Sequence, residues 1–97
     1  MVGGKVKEFT PGPWKVQRYD NGNSYAISPV GSAKVIAKLQ SKTFDNKANA
    51  HLIAAAPEMY EALKEIYQLL EKHEPHWYLR KHYNLVAKAL AKAEGKE

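Results

Sequence analysis

Apolar and polar residues alternate with a period of two over the first part of the chain and recur every three to four residues over the second. Trp14 to Tyr19 (Trp-Lys-Val-Gln-Arg-Tyr) carries the alternation and the β-favouring side chains of a strand. Ser24 to Ser28 predicts the returning strand and Lys34 to Gln40 a third. Between the first two lies Asp20-Asn21-Gly22-Asn23, a turn signal because Asn-Gly readily takes positive φ. Pro29-Val30-Gly31-Ser32 is the second turn. Strands joined in sequence by short turns form an antiparallel meander. The period sorts its faces: Trp14, Val16, Tyr25, Ile27, Val35, Ala37 and Leu39 on an apolar side, and Lys15, Gln17, Tyr19, Ser24, Ser28, Lys34, Lys38 and Gln40 on a polar one. Ahead of the first strand, Thr10-Pro11-Gly12-Pro13 is too rich in proline for a central strand and predicts a rigid entry that delivers Trp14 to the core edge.

The spacing changes at Ala48 to Ala56, an alanine-rich helix whose small side chains let it lie close to the sheet. Asp45 is its expected N-cap, and Leu52 and Ile53 are the expected larger contacts onto Val16, Ile27 and Val35. Pro57 breaks the helix and opens the next in its first turn, giving a proline-cornered helix pair. Met59, Leu63, Ile66 and Leu70 then form one stripe, with Tyr60 and Tyr67 on its flank. Glu74-Pro75 ends that helix, and His76 to Glu94 predicts the last, striped by Leu79, Tyr83, Val86, Leu90 and Ala93. Two stripes across a short turn make an antiparallel hairpin. The expected fold is therefore α+β: a three-stranded antiparallel meander packed against three helices, with a loose tail at 1–9 and one domain over 10–95.

Composition narrows the chemistry. Ninety-seven residues suit one domain with a modest core. There is no cysteine, hence no disulfide framework and no thiolate nucleophile. The start lacks the apolar core of a signal peptide, and no stretch is long enough to cross a bilayer, so no membrane partner is expected. The net charge is +5; residues 1–47 hold eight basic and three acidic side chains, and residues 48–97 seven of each. The excess thus belongs to the first half, where it can attract anions or act as a solubilising lysine surface. His73, His76 and His82 lack the spacing of a metal set, the serines have no nucleophile elbow, and no glycine-rich phosphate loop precedes a helix. Neither an enzyme nor a cofactor is expected.

The run Ala48-Asn49-Ala50-His51-Leu52-Ile53-Ala54-Ala55-Ala56-Pro57-Glu58, followed by Glu61-Ala62-Leu63, resembles a motif of small phage and prophage proteins. Thr10-Pro11-Gly12-Pro13-Trp14 is similar to their other signature, and Ala87 to Gly95 to their usual ending; His51 stands where they more often carry arginine. The resemblance implies a phage or prophage origin and the bacterial host cytoplasm, and transfers no catalytic residue.

Two candidate surfaces follow from the residues. Where the alanine-rich helix meets the sheet, Trp14, Tyr25, Asn49 and His51 can wall a ligand cleft, or Asn49 and His51 can be satisfied internally. On the polar face, Lys15, Tyr19, Lys34 and Lys38 form an alternative nucleic-acid surface, lysines for phosphates and a ring for a base. The expected function is that of an accessory protein acting by binding, which inhibits a host defence process by sequestering a small anionic, nucleotide-like ligand or by occluding a host protein. The alternative is nucleic-acid binding. The alanine-rich helix and the aromatics are also compatible with a homo-oligomer.

Overall fold

The structure, a computed structural model, describes residues 9–19, 24–40, 45–73 and 77–96. The expected tail up to residue 8, the Asp20–Asn23 turn, Ser41 and the Glu74-Pro75-His76 break lie outside the described residues. The fold is α+β: strands β1 (Trp14–Tyr19), β2 (Ser24–Pro29) and β3 (Ala37–Leu39), then helices α1 (Asn46–Ala54), α2 (Ala56–Lys72) and α3 (Arg80–Ala93), with a 3₁₀ turn at Trp77–Leu79 before α3. The chain divides into two compact units between Glu58 and Met59, in the first turn of α2.

In the first unit the sheet order is β1-β2-β3, antiparallel throughout. Val16, Ile27 and Ala37 lie in one cross-strand row, with Trp14 opposite Pro29 and Tyr25 opposite Leu39 in the rows beside it. This is the apolar face that the alternation predicts. Ile27 and Ala50 are fully buried, and Trp14, Val16, Ala37, Leu39, Ile53 and Ala54 pack around the cluster they form with Tyr25. Burying a side chain such as Ile27 completely is worth about 1.5–3 kcal/mol.

β3 is shorter than expected. Lys34 donates its backbone N–H to Ser32 Oγ (3.1 Å), so this residue is held by the preceding turn and not by the ladder. That turn closes through Ser32 N–H to the Pro29 carbonyl (3.1 Å), with Gly31 at φ 87°, a conformation that favours glycine. Val35 and Ile36 are exposed, so Val35 is not part of the inner face. A three-residue outer strand also leaves little unpaired edge.

Asp45 caps α1 as expected: its carboxylate accepts from Ala48 N–H at 3.1 Å. The helix ends at Ala54, Ala55 makes the corner with its N–H on the His51 and Leu52 carbonyls, and Pro57 sits in the first turn of α2. Asn46, Ala50 and Pro57 are the buried positions of this stretch, and Ile53, Ala54, Ala55 and Ala56 are half-buried. Leu52 is 60% exposed, which corrects its expected role as a contact onto the sheet. At about 100° per residue, Leu52 lies roughly opposite Ala50 on the helix.

Gly12 ties the entry segment to the corner. A Cβ on Gly12 would stand 2.7 Å from Pro57 Cβ and 3.0 Å from its Cγ. Trp14 Nε1–H donates to the Thr10 carbonyl (3.1 Å), Phe9 meets the Trp14 ring edge-on, and Val30 N–H reaches the Pro13 carbonyl (3.0 Å). The two runs that carry the phage resemblance therefore touch.

In the second unit α2 and α3 form the antiparallel hairpin: Tyr60 near the start of α2 donates to Glu94 beyond the end of α3, while Tyr67 and Glu71 reach Tyr83 near its start. Leu79, Tyr83 and Val86 are half-buried and Leu90 buried, the stripe expected of α3 apart from the exposed Ala93. On α2 the phase differs. Tyr60 and Tyr67 make the contacts with α3, whereas Met59 and Ile66 are exposed. Tyrosine suits such a seam when its hydroxyl finds a partner there.

Candidate functional site

The seam of the hairpin carries a polar chain. The Tyr67 and Tyr83 rings stack with centroids 5.0 Å apart and 22° between planes, and their hydroxyls are hydrogen-bonded at 2.8 Å. Tyr83 donates onward to Glu71 Oε2 at 3.4 Å, which leaves Tyr67 as donor to Tyr83. The hydrogen bond to Tyr83 is the first cause, with burial and the Glu71 charge behind it, that pushes the Tyr67 hydroxyl up to about 12. At the other end of the seam, the Tyr60 hydroxyl and then Lys96, 3.1 Å away, hold the Glu94 carboxyl below its ordinary value.

Beside the Tyr83 end lies a groove of about 340 Å³ lined by Leu70, Glu71, Leu79, Arg80, Tyr83 and Asn84. That volume is at the lower end of small-molecule sites. Its lining combines one guanidinium, one carboxylate, one amide, a phenol ring and two leucines. Arg80 is a planar donor suited to phosphate or carboxylate. Asn84 presents a donor and an acceptor side by side, the pair that reads an adenine edge. Tyr83 is an aromatic wall whose ring is fixed by its stack on Tyr67. Arg80, Tyr83 and Asn84 lie one helical turn apart on α3, so their convergence follows from spacing; Leu70 and Glu71 come from α2.

The first candidate set is divided by the structure. Trp14 is half-buried and Tyr25 buried, both in the core of the first unit, while Asn49 and His51 are exposed on α1, about 100° to either side of the buried Ala50. In the second set Lys15, Lys34 and Lys38 are exposed. Lys15 and Lys38 lie on the outer face of β1 and β3, Lys34 in the segment leading into β3, and Tyr19 pairs with Ser24 at the end of β1. Of the histidines in the weak metal pattern, His76 is outside the described residues, His73 is half-buried and His82 exposed. Among the described residues no three His, Asp or Glu side chains are placed to hold a metal ion.

The family model described as Salmonella phage P22 protein Y8K6 matches residues 1–97. The chain belongs to this family. No curated protein and no solved structure matches it. This is therefore a phage protein of α+β fold, and among its described residues no helix is long and apolar enough to cross a membrane. The groove residues of this phage protein were not singled out by the sequence reading, which placed Leu70, Leu79 and Tyr83 in the apolar stripes and left Arg80 and Asn84 unremarked.

Proposed function

We propose that this phage protein is a non-enzymatic accessory protein that acts in the cytoplasm of the bacterial host by binding. It interferes with a host defence process by sequestering a small anionic, nucleotide-like ligand. The observation that carries the reading is the groove, where Arg80, Asn84 and Tyr83 offer an anion donor, a ring-edge reader and an aromatic wall within about 340 Å³. The cationic first half of the chain, eight basic against three acidic side chains over residues 1–47, favours anions over cations in the encounter.

Calorimetry with adenosine monophosphate and the other nucleoside monophosphates tests the reading, paired with phage plating on cells that express the protein. Binding at micromolar to low millimolar concentration is expected, with Arg80→Ala weakening it at least tenfold and removing any gain in plating. Absence of binding to every nucleotide, with plating the same for the wild type and Arg80→Ala, contradicts it.

Occlusion of a host protein is the second form of the reading. Met59, Ile66 and Leu69 favour it, since they lie along one side of α2 and are exposed. Ile66→Glu with Leu69→Glu separates the two. A host-protein role loses the phage benefit and keeps nucleotide binding, whereas a ligand role keeps both.

A further inference from the structure

The hairpin leaves a second, exposed stripe on each helix. Its seam runs along Tyr60, Leu63, Tyr67 and Leu70 of α2 and along Tyr83, Val86 and Leu90 of α3. Met59, Ala62, Ile66 and Leu69 each precede a seam residue of α2 by one position, and all four are exposed. On α3 the same offset gives Leu85 and Ala89, exposed as well. One position is about 100° around a helix, and in antiparallel helices an equal offset turns both stripes to the same side of the hairpin. The two stripes therefore form one apolar face. Glu71, Arg80 and Asn84 follow seam positions by one, so the groove lies on the opposite side.

The two edges of this face carry opposite charge. Glu61 and Glu65 stand on the edge of α2 away from the seam, and Lys81, Lys88 and Lys92 on the corresponding edge of α3, which has no acidic residue between Arg80 and Ala93. All five are exposed, and none is in an ion pair with a described residue. Glu61 and Glu65 are four positions apart, as are Lys88 and Lys92, a spacing at which like charges repel along a helix. Each edge thus lacks the charge that the other edge holds.

We propose that this face binds a second copy of the chain about a two-fold axis parallel to the helices, so that α2 of each copy lies against α3 of the other in a four-helix bundle. The bridges from Tyr60 to Glu94 and from Tyr67 to Tyr83 fix the levels along the hairpin, and such an axis keeps them. Ile66 then meets Leu85 of the other copy, and Ala62 meets Ala89, a large layer beside a small one that lets the helices approach. Glu61 comes level with Lys92 of the other copy and Glu65 with Lys88, so each like-charged pair is answered by its opposite. Lys72 and Lys81, a like pair at one level, fall beyond Leu69, where both exposed side chains can turn into solvent. A two-fold axis across the helices would instead set α2 on α2 and α3 on α3, with glutamates on glutamates and lysines on lysines. A host protein would have to bring both charges in this arrangement, whereas a second copy brings them by symmetry. The bundle leaves the groove open on its outside.

Sedimentation equilibrium of the full-length chain, from low micromolar to several hundred micromolar, tests it. A face two helices wide and about 20 Å long is small for a specific interface, so a concentration-dependent dimer is expected in the micromolar range. Ile66→Glu with Leu85→Glu should leave a monomer of unchanged helix content by circular dichroism. Glu61→Lys with Glu65→Lys, and separately Lys88→Glu with Lys92→Glu, should each be monomeric. An equimolar mixture of these two charge-reversed variants should dimerise again, because every edge pair in the mixed bundle is then opposite in sign; misfolded variants would not recover. Nucleotide binding by the charge-reversed variants is measured separately, so that failure here and failure of the groove reading are told apart. A wild type that stays monomeric throughout leaves the face to another protein and overturns the inference. So does an Ile66→Glu with Leu85→Glu variant that still dimerises, charge reversal that leaves self-association unchanged, as α2 on α2 would, or a mixture that stays monomeric.

Discussion

Gly12 and Pro57 stand 45 positions apart in the sequence and within van der Waals contact in the fold, and the space between them is smaller than a methyl group requires. Neither neighbour can yield cheaply, since one is backbone and the other a proline ring. Gly12→Ala is therefore expected to destabilise the first unit by about 1–3 kcal/mol, read as a lower urea midpoint with an unchanged slope. The sequence showed a proline-rich, rigid entry at Thr10–Trp14 and a corner at Pro57, but a close approach between the two has no periodicity to betray it. A second residue-scale prediction concerns Tyr67. Its hydroxyl is held protonated up to about 12 against an ordinary 10.0, chiefly by the hydrogen bond with Tyr83. Because the folded value is the higher one, this contribution to stability is complete below pH 10 and is lost as pH rises through 12. Ultraviolet titration should show one tyrosine ionising late, and Tyr83→Phe should bring it back toward the ordinary value.

Among the elements, the strands were the most legible, because alternation sets a face without ambiguity: Trp14, Val16, Tyr25, Ile27, Ala37 and Leu39 all lie inward as the period requires. Helix α1 was legible in kind but not in phase. From Ala48 to Ala56 it is apolar on every side except Asn49 and His51, so hydrophobicity alone cannot orient it. Closeness decides instead: Ala50, with a single methyl, faces the sheet at full burial, and the bulkier Leu52 turns away. Ala50→Leu should thus overpack the interface and cost about 1–3 kcal/mol, whereas Leu52→Ala should fall within about 0.5 kcal/mol of the wild type. Thermal melts of the two variants check this, and the reverse ranking would place the helix in the orientation first expected. In α2 the same kind of error arose from treating Tyr60 and Tyr67 as a flank; their hydroxyls find Glu94 and Tyr83, and that lets them fill the seam.

For the whole molecule, the α+β class, the antiparallel meander, the hairpin and the phage family all followed from residues that can be read along the chain. The candidate sites did not follow as readily. Trp14 and Tyr25 serve the core, while Asn49 and His51 lie on the surface of α1. The groove was missed because its lining is shared between Leu70 and Glu71 of α2, Leu79 of the 3₁₀ turn and three residues of α3, so its polar groups converge only once α2 and α3 are antiparallel. Arg80, Tyr83 and Asn84 at one-turn spacing were the signal available, and a tyrosine within an apolar stripe concealed it. A proton–nitrogen correlation spectrum of the uniformly labelled protein, titrated with adenosine monophosphate, goes to the centre of the functional account. Saturable shifts are expected at Leu70, Glu71, Leu79, Arg80, Tyr83 and Asn84, and should vanish in Arg80→Ala. A spectrum that stays unchanged to millimolar nucleotide, or shifts confined to residues outside the hairpin, would contradict it.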